Sequence, residues 1–402
     1  MRAIADRPLG LYLHLPWCVS RCPYCDFNSH EFPGELPEVP YTTALLNDLE
    51  RESRIARHEG WIRPFTSAFI GGGTPSLFSS GSIGQMLDQA ARLFGFTADA
   101  EITLEANPGS VERHSFTGLR DTGVNRVSLG AQSFNDASLR ALGRVHRAEE
   151  TTDAVEEIRR SGIDNLNIDI MFALPGQSVA DAQRDVEAAL ALGPQHLSYY
   201  QLTLEPNTAF YRHPPALPDE ELAWEMQHNG IERLAKAGFG QYEVAAHAPP
   251  GSEARHNLNY WTFGDYVGLG AGAHGKITLS GGQVVRTSRP RSPQAYMRSR
   301  GTDQPCDRSV QALTARDLVF EYALNHLRLR HQYLKPGHFE TATGLDRSAL
   351  AGPIARACDR GLLAHHGESG YQTTTLGWRF LNDLQAIFLP DAQDRDQPQR
   401  AV

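Results

Sequence analysis

Residues 14–28 read HLPWCVSRCPYCDFN and set Cys18, Cys22 and Cys25 in a C-x3-C-x2-C pattern, directly after the alternating apolar segment that begins at Leu11. Three thiolates on one short loop can hold three corners of a [4Fe-4S] cubane while one iron keeps no protein ligand. A structural zinc site asks for four protein ligands, and only His14 and His30 stand nearby to supply a fourth. The loop therefore predicts a [4Fe-4S] cluster whose open iron serves ligand binding or catalysis.

Outward from this loop, one theme repeats as far as about residue 245. A short apolar or alternating strand is followed by a motif-bearing loop and then by an amphipathic helical stretch. The strands fall at 11–16, 67–71, 101–106, 125–131, 165–171 and 196–202. Helical patterns occupy 41–58, 81–94, 113–121, 147–161 and 178–192, two of them closed by Gly162 and Gly193. Six such units predict an α/β fold, an open partial (β/α)6 barrel of TIM type, whose ligands gather at the C-terminal strand ends. Every motif discussed here falls at such an end.

Residues 1–245 are read as the barrel domain, with a further helix at about 217–237. Residues 246–309 form a Gly-rich extension with short strands. The pattern then turns helical with a small hairpin over 310–390, a separate module for which a winged helix is one reading, and the chain ends in a Gln- and Asp-rich tail expected to be disordered over 391–402. Lys and Arg in this last part equal Asp and Glu in number, so a winged helix here would pack or dock rather than hold DNA.

The whole chain of 402 residues, 41% hydrophobic and 21% charged, carries a formal net charge of −9. Its basic residues are scattered, which argues against nucleic acid as a partner. No stretch approaches the roughly 20 apolar residues of a membrane span, and the N-terminus lacks the apolar core of a secretory signal, so the expected location is the cytoplasm. Cys306 and Cys358, isolated from the cluster loop, are read as buried or incidental thiols.

Three further motifs follow the strands. FIGGGTPSLF, with Gly71, Gly72, Gly73 and Thr74, lets the backbone approach a ligand closely. TLEANPG places Glu105 just past a buried strand, where an unpaired carboxylate is costly and a ligand partner explains it economically. RVSLGAQSF, LGRVH and NLNIDIMFALPGQ contribute Gln132, Arg144 and Asp169, which taken alone read as a core amide, a surface salt bridge and a strand-end polar contact. GAGAHG at 270–275 fits G-x-G-x-x-G, but no βαβ unit surrounds it. A loop closing over the barrel mouth, with His274 as a polar lining group, is the better reading.

The cysteine loop after the first strand resembles the radical S-adenosylmethionine superfamily. That resemblance implies a cofactor pair of [4Fe-4S] cluster and S-adenosyl-L-methionine, in which the methionyl amine and carboxylate chelate the open iron and one electron cleaves the sulfonium to a 5′-deoxyadenosyl radical. It also implies that Tyr24 lies near the adenine and that the triple glycine grips the methionyl amino group. Over Leu11 to about Leu389 the chain is similar to the oxygen-independent coproporphyrinogen III oxidase (HemN-like) family, and Tyr12, Gln132, Arg144, Asp169 and the LPGQ turn of 174–177 match its S-adenosylmethionine contacts.

Two branches share that pattern. The oxidases carry a fourth cysteine where this chain has Phe27, and they have a longer N-terminal arm. CPYCDFNSH together with RHNLNYW at 255–261 instead resembles the HemW-type haem chaperones, which implies that His256, Asn257 and Tyr260 of the H-N-x-x-Y motif shape a haem site. The expected activity is haem binding and transfer to an acceptor protein. Coproporphyrinogen III decarboxylation is the alternative, and flavodoxin or ferredoxin would be the reductant if S-adenosylmethionine is cleaved.

Overall fold

The computed structural model describes residues 7–32, 34–109, 116–298 and 308–389. Cys306, the first residues of the helix expected at 113–121, and the tail 391–402 lie outside them. Six strands follow the repeat read from sequence: β1 (Leu9–Leu15), β2 (Phe65–Gly72), β3 (Phe96–Ala106), β4 (Arg126–Gln132), β5 (Asn165–Phe172) and β6 (His196–Gln201). They pair in that order, all parallel. Between them run α1 (Glu38–His58), α2 (Ser80–Leu93), α3 (Phe116–Asp121), α4 (Asp136–Ala141), α5 (Ala148–Arg160) and α6 (Val179–Ala191). Side chains start several of them: Ser79 accepts the Ser82 N–H, and Ser178 and Asp181 form a capping box.

The strands alternate, which sets the use of each face. Leu9, Leu11, Leu13 and Leu15 of β1, Val127 and Leu129 of β4, and Leu166, Ile168 and Ile170 of β5 belong to the main apolar core. The intervening positions, among them Glu105, Arg126, Ser128, Asn167, Asp169, His196 and Ser198, line a cavity on the opposite face. Parallel strands covered by helices usually read as unbroken apolar runs. Here most of the alternate positions are polar, so the concave face lines a cavity and is not a packed barrel interior.

The segment from 241 to 300, read as irregular with short strands, continues the same sheet on both edges. β7 (Ala246–Ala248) pairs antiparallel with β6. The chain then returns through α7 (Arg255–Trp261) to the opposite edge, where β8 (Asp265–Leu269) pairs parallel with β1. Antiparallel strands β9 (His274–Thr278), β10 (Val284–Ser288) and β11 (Ser309–Ala312) complete that edge. A buried ionic knot secures it: Asp265 accepts from Lys276 at 2.8 Å, Thr278 at 2.9 Å and Arg63 at 2.7 Å. Burial alone would raise the Asp265 pKa, but Lys276 and Arg63 hold it below the usual carboxylate range.

Residues 315–389 form helices at Ala315–His326, Pro336–Thr343 and Ala351–Asp359, followed by the hairpin Leu363–His365 with Tyr371–Thr373. Two short helices, Thr375–Arg379 and Leu381–Ala386, follow the hairpin. This part has its own apolar cluster, which reaches the preceding segment through Phe263 and Val284. Among the described residues no helix is long and apolar enough to cross a membrane.

Candidate functional site

The first cavity, of about 520 Å³, opens at the C-terminal ends of β2 to β6 and is lined by Cys18, Cys22 and Cys25. The loop that presents them is pinned by backbone bonds, Cys25 N–H to the Cys22 carbonyl at 3.1 Å and Thr74 N–H to the Trp17 carbonyl at 2.7 Å. Arg144 comes within 3.6 Å of the Cys22 sulfur, and Ser29 Oγ lies 3.7 Å from that of Cys25. Burial pushes the Cys18 thiol up to about 11, against the hydrogen bond from Thr74, while the other two sulfurs push the same way and Arg144 opposes them. Metal binding therefore has to displace protons here.

The triple glycine is demanded by its neighbours. A Cβ on Gly73 would lie 2.5 Å from the Trp17 carbonyl oxygen, and Gly72, at φ +121°, would drive one into the His14 ring at 2.6 Å. The close approach is thus between this turn and the cysteine loop. The Gly72 N–H is given to Glu105 at 3.0 Å. Glu105 is half-buried on the cavity wall, and no Lys or Arg pairs with it among the described residues. Burial, and secondarily the nearby Asp169, raises its pKa to about 7. A carboxyl on the cavity wall with no cation beside it fits a cationic ligand.

Arg144 is no surface salt bridge. It is half-buried, and its Nη2 donates to Asn107 at 2.5 Å and to the Gly130 carbonyl at 2.9 Å. Asn107 in turn donates to Thr74 at 2.9 Å, so it ties the glycine turn to the arginine beside Cys22. Sequence reading passed over Asn107, although an Asn-Pro step at a strand end could have marked it. Gln132 ends β4 at φ +67°, a strained conformation for a non-glycine residue, and accepts from the Tyr200 hydroxyl at 2.6 Å. The strain is held by Asp185 of α6, which accepts from Ser133 at 2.9 Å, Phe134 N–H at 2.6 Å and Gln177 at 3.1 Å. That clamp gives the LPGQ turn its local purpose. Asp169 accepts from Asn167 at 2.8 Å and Ser128 at 3.2 Å. Tyr24 lines the same cavity and packs against Phe210.

The H-N-x-x-Y residues lie on α7 but do not share one cavity. His256 and Asn257 line the first, at its deep end, whereas Tyr260 lines a second of about 460 Å³. Glu101 accepts from His256 Nδ1 at 3.0 Å and from the backbone N–H groups of Arg255 and His256, and the imidazole packs on Phe69 with centroids 4.3 Å apart. Burial lowers the His256 pKa in spite of Glu101, so a neutral ring donates to an ionised carboxylate. Tyr12 also faces the second cavity, its hydroxyl 2.8 Å from His14 Nδ1. The two cavities meet at Phe27, Gly72 and Glu105. Thus all the expected ligand residues except Tyr12 and Tyr260 gather around the first cavity.

These features have counterparts in known proteins. Residues 12–189 match the model of the radical SAM superfamily. Over 384 residues the chain is 42% identical to "Heme chaperone HemW" of Haemophilus influenzae, covering 96% of this chain and 98% of that protein. HemW of Escherichia coli is likewise 42% identical over 384 residues, covering 96% and 99%. The solved structure of coproporphyrinogen III oxidase, HemN, from Escherichia coli superposes with a TM-score of 0.79 over 96% of this chain and 90% of that one, at 22% identity, which shows a shared fold. The chain belongs to the HemW family within the radical SAM superfamily. A [4Fe-4S] cluster and S-adenosylmethionine are the cofactors that the superfamily domain implies.

Proposed function

We propose that this protein is a haem chaperone, one that binds haem and passes it to an acceptor protein, with a [4Fe-4S] cluster on Cys18, Cys22 and Cys25 and S-adenosylmethionine beside it. The observation that carries the reading is the near full-length match to two haem chaperones. Phe27, at the position of the oxidases' fourth cysteine, argues against coproporphyrinogen III as substrate. When bound, the cluster and S-adenosylmethionine supply one-electron chemistry at a sulfonium, fed by a low-potential donor such as flavodoxin or ferredoxin in the cytoplasm. The chain's own residues do the holding. Arg144 and Thr74 set a cation and a hydroxyl beside the sulfurs, Asn107 fixes both, and Gln132, Asp169 and Tyr24 shape the wall against which the nucleoside lies. Titrating the reconstituted protein with haem tests the reading. One haem per chain, transferable to a haem-free acceptor, with no coproporphyrinogen turnover, is expected; turnover without haem uptake would replace it with the oxidase.

Glu105 makes the S-adenosylmethionine reading measurable. Its folded pKa of about 7 lies above the ordinary 4.5, so its contribution to stability is present below about pH 4.5 and is lost as pH rises to about 7. The ionised carboxylate is the form that attracts a cationic ligand. Affinity for S-adenosylmethionine should therefore rise between pH 6 and 8. Glu105→Gln should weaken binding by about 10- to 100-fold, from a charged hydrogen bond of roughly 1.5–3 kcal/mol, and flatten that dependence. Anaerobic equilibrium dialysis measures both, and wild-type affinity in the variant would remove Glu105 from the site.

A further inference from the structure

Asp185 sits on the buried side of α6, 3% exposed, yet it lines neither cavity and no Lys or Arg pairs with it among the described residues. Burying a carboxylate without a cation is costly unless hydrogen bonds replace the lost water. All of its neighbours donate. Ser133 offers its hydroxyl, 3.0 and 2.9 Å from the two carboxylate oxygens, and Phe134 its backbone N–H. Gln177 offers its amide nitrogen, since its amide oxygen is taken by the Leu174 N–H at 3.1 Å. Only a group that accepts on both oxygens satisfies this set, and an ionised carboxylate is that group. Burial pushes its pKa up to about 6 against these bonds, so it is charged at neutral pH.

The clamp holds the ends of two neighbouring strands. Ser133 and Phe134 follow Gln132 at the end of β4, and Gln177 closes the turn after β5, which the chain enters through Ala173 at φ +57°. Gln132 and Ala173 are two of only four non-glycine residues in the left-handed region among the described residues, so strained backbone is concentrated where Asp185 binds. Gln132 lines the first cavity, as does Tyr200, whose hydroxyl it accepts. Ser133 also accepts the Asn135 N–H at 3.1 Å, at the start of α4, the helix that leads to Arg144. We infer that Asp185 is a positioning residue for S-adenosylmethionine, fixing the Gln132 backbone from the outer helix layer and so setting the nucleotide's affinity without touching it. This rests on the S-adenosylmethionine reading of the first cavity and deepens it. Without the carboxylate, Gln132 relaxes to an ordinary conformation and its amide leaves the cavity wall.

The test is anaerobic equilibrium dialysis of S-adenosylmethionine against the reconstituted full-length chain and its variants Gln132→Ala, Asp185→Asn and the two combined. Asp185→Asn keeps the shape but turns one acceptor into a donor, and it should weaken binding about tenfold, a usual scale for losing a bond that orients a ligand-holding group. Gln132→Ala should also weaken it. The double variant should bind no more weakly than Gln132→Ala, because the carboxylate acts through that side chain. Cluster iron and haem uptake should stay at the wild-type level throughout. Should Asp185→Asn lose its cluster, Ser133→Ala removes a single donor and should show a smaller loss, again absent beside Gln132→Ala. Wild-type affinity in Asp185→Asn, or in Ser133→Ala where that stands in for it, or losses that multiply in the double variant, would overturn the assignment. Wild-type affinity in Gln132→Ala would take Gln132 out of the site and the proposal with it. No binding by the unaltered chain would overturn the S-adenosylmethionine reading itself.

Discussion

Replacing Cys22 by alanine is expected to leave the anaerobically reconstituted chain without its cluster. With only two thiolates remaining on the loop, iron and sulfide should fall from about four each per chain to background, and the brown absorbance should vanish. Cys22 is chosen because Arg144 approaches its sulfur and is itself fixed by Asn107 and Gly130, so the arginine cannot follow a lost ligand. The variant should still fold, because the sheet and its apolar core do not run through this half-exposed loop. Cys358→Ala, in the C-terminal cluster, should keep full iron. Iron at the wild-type level in Cys22→Ala would remove the loop from the metal site.

Asp265→Ala should have the largest effect on stability, a loss of about 3–5 kcal/mol, because it leaves the buried Arg63 and Lys276 without their shared carboxylate. The loss is local in origin. Arg63 precedes β2, Asp265 opens β8 and Lys276 sits in β9, so the knot joins the sheet extension to the parallel strands. Since Asp265 titrates below the usual range, its contribution is present above about pH 3.8 and is lost as pH falls through the lower folded value. Denaturant unfolding near pH 7 measures the loss, and a change under 1 kcal/mol would show that water reaches the cations.

Much of this was legible in the chain because the information is local. RVSLGAQ and NLNIDIMF announce strands by their alternation, and GGG and LPGQ announce turns by backbone chemistry, so six strands and the motif-bearing part of the first cavity's lining could be read off. The pairing of β8 with β1 could not: Leu9 meets Asp265 across more than 250 residues of chain, and no local pattern encodes such a register. The Asp265 knot and the second cavity depend on that pairing and stayed hidden with it. For the same reason Tyr12 and Tyr260 stand in a cavity apart from the residues with which they were grouped. Taken alone, Arg144 read as a surface salt bridge, and only the family resemblance placed it at the site, because its partners, a sulfur, an amide and a carbonyl, carry no opposite formal charge to betray them.

The central claim is that the three loop cysteines hold a [4Fe-4S] cluster with one corner open to S-adenosylmethionine. Electron paramagnetic resonance of the reduced, anaerobically prepared chain, recorded with and without S-adenosylmethionine, addresses it directly. A [4Fe-4S] signal whose shape changes on addition of the nucleotide, and does so far less in Glu105→Gln at the same concentration, is the predicted result. A signal indifferent to the nucleotide, or zinc in place of iron, would contradict it.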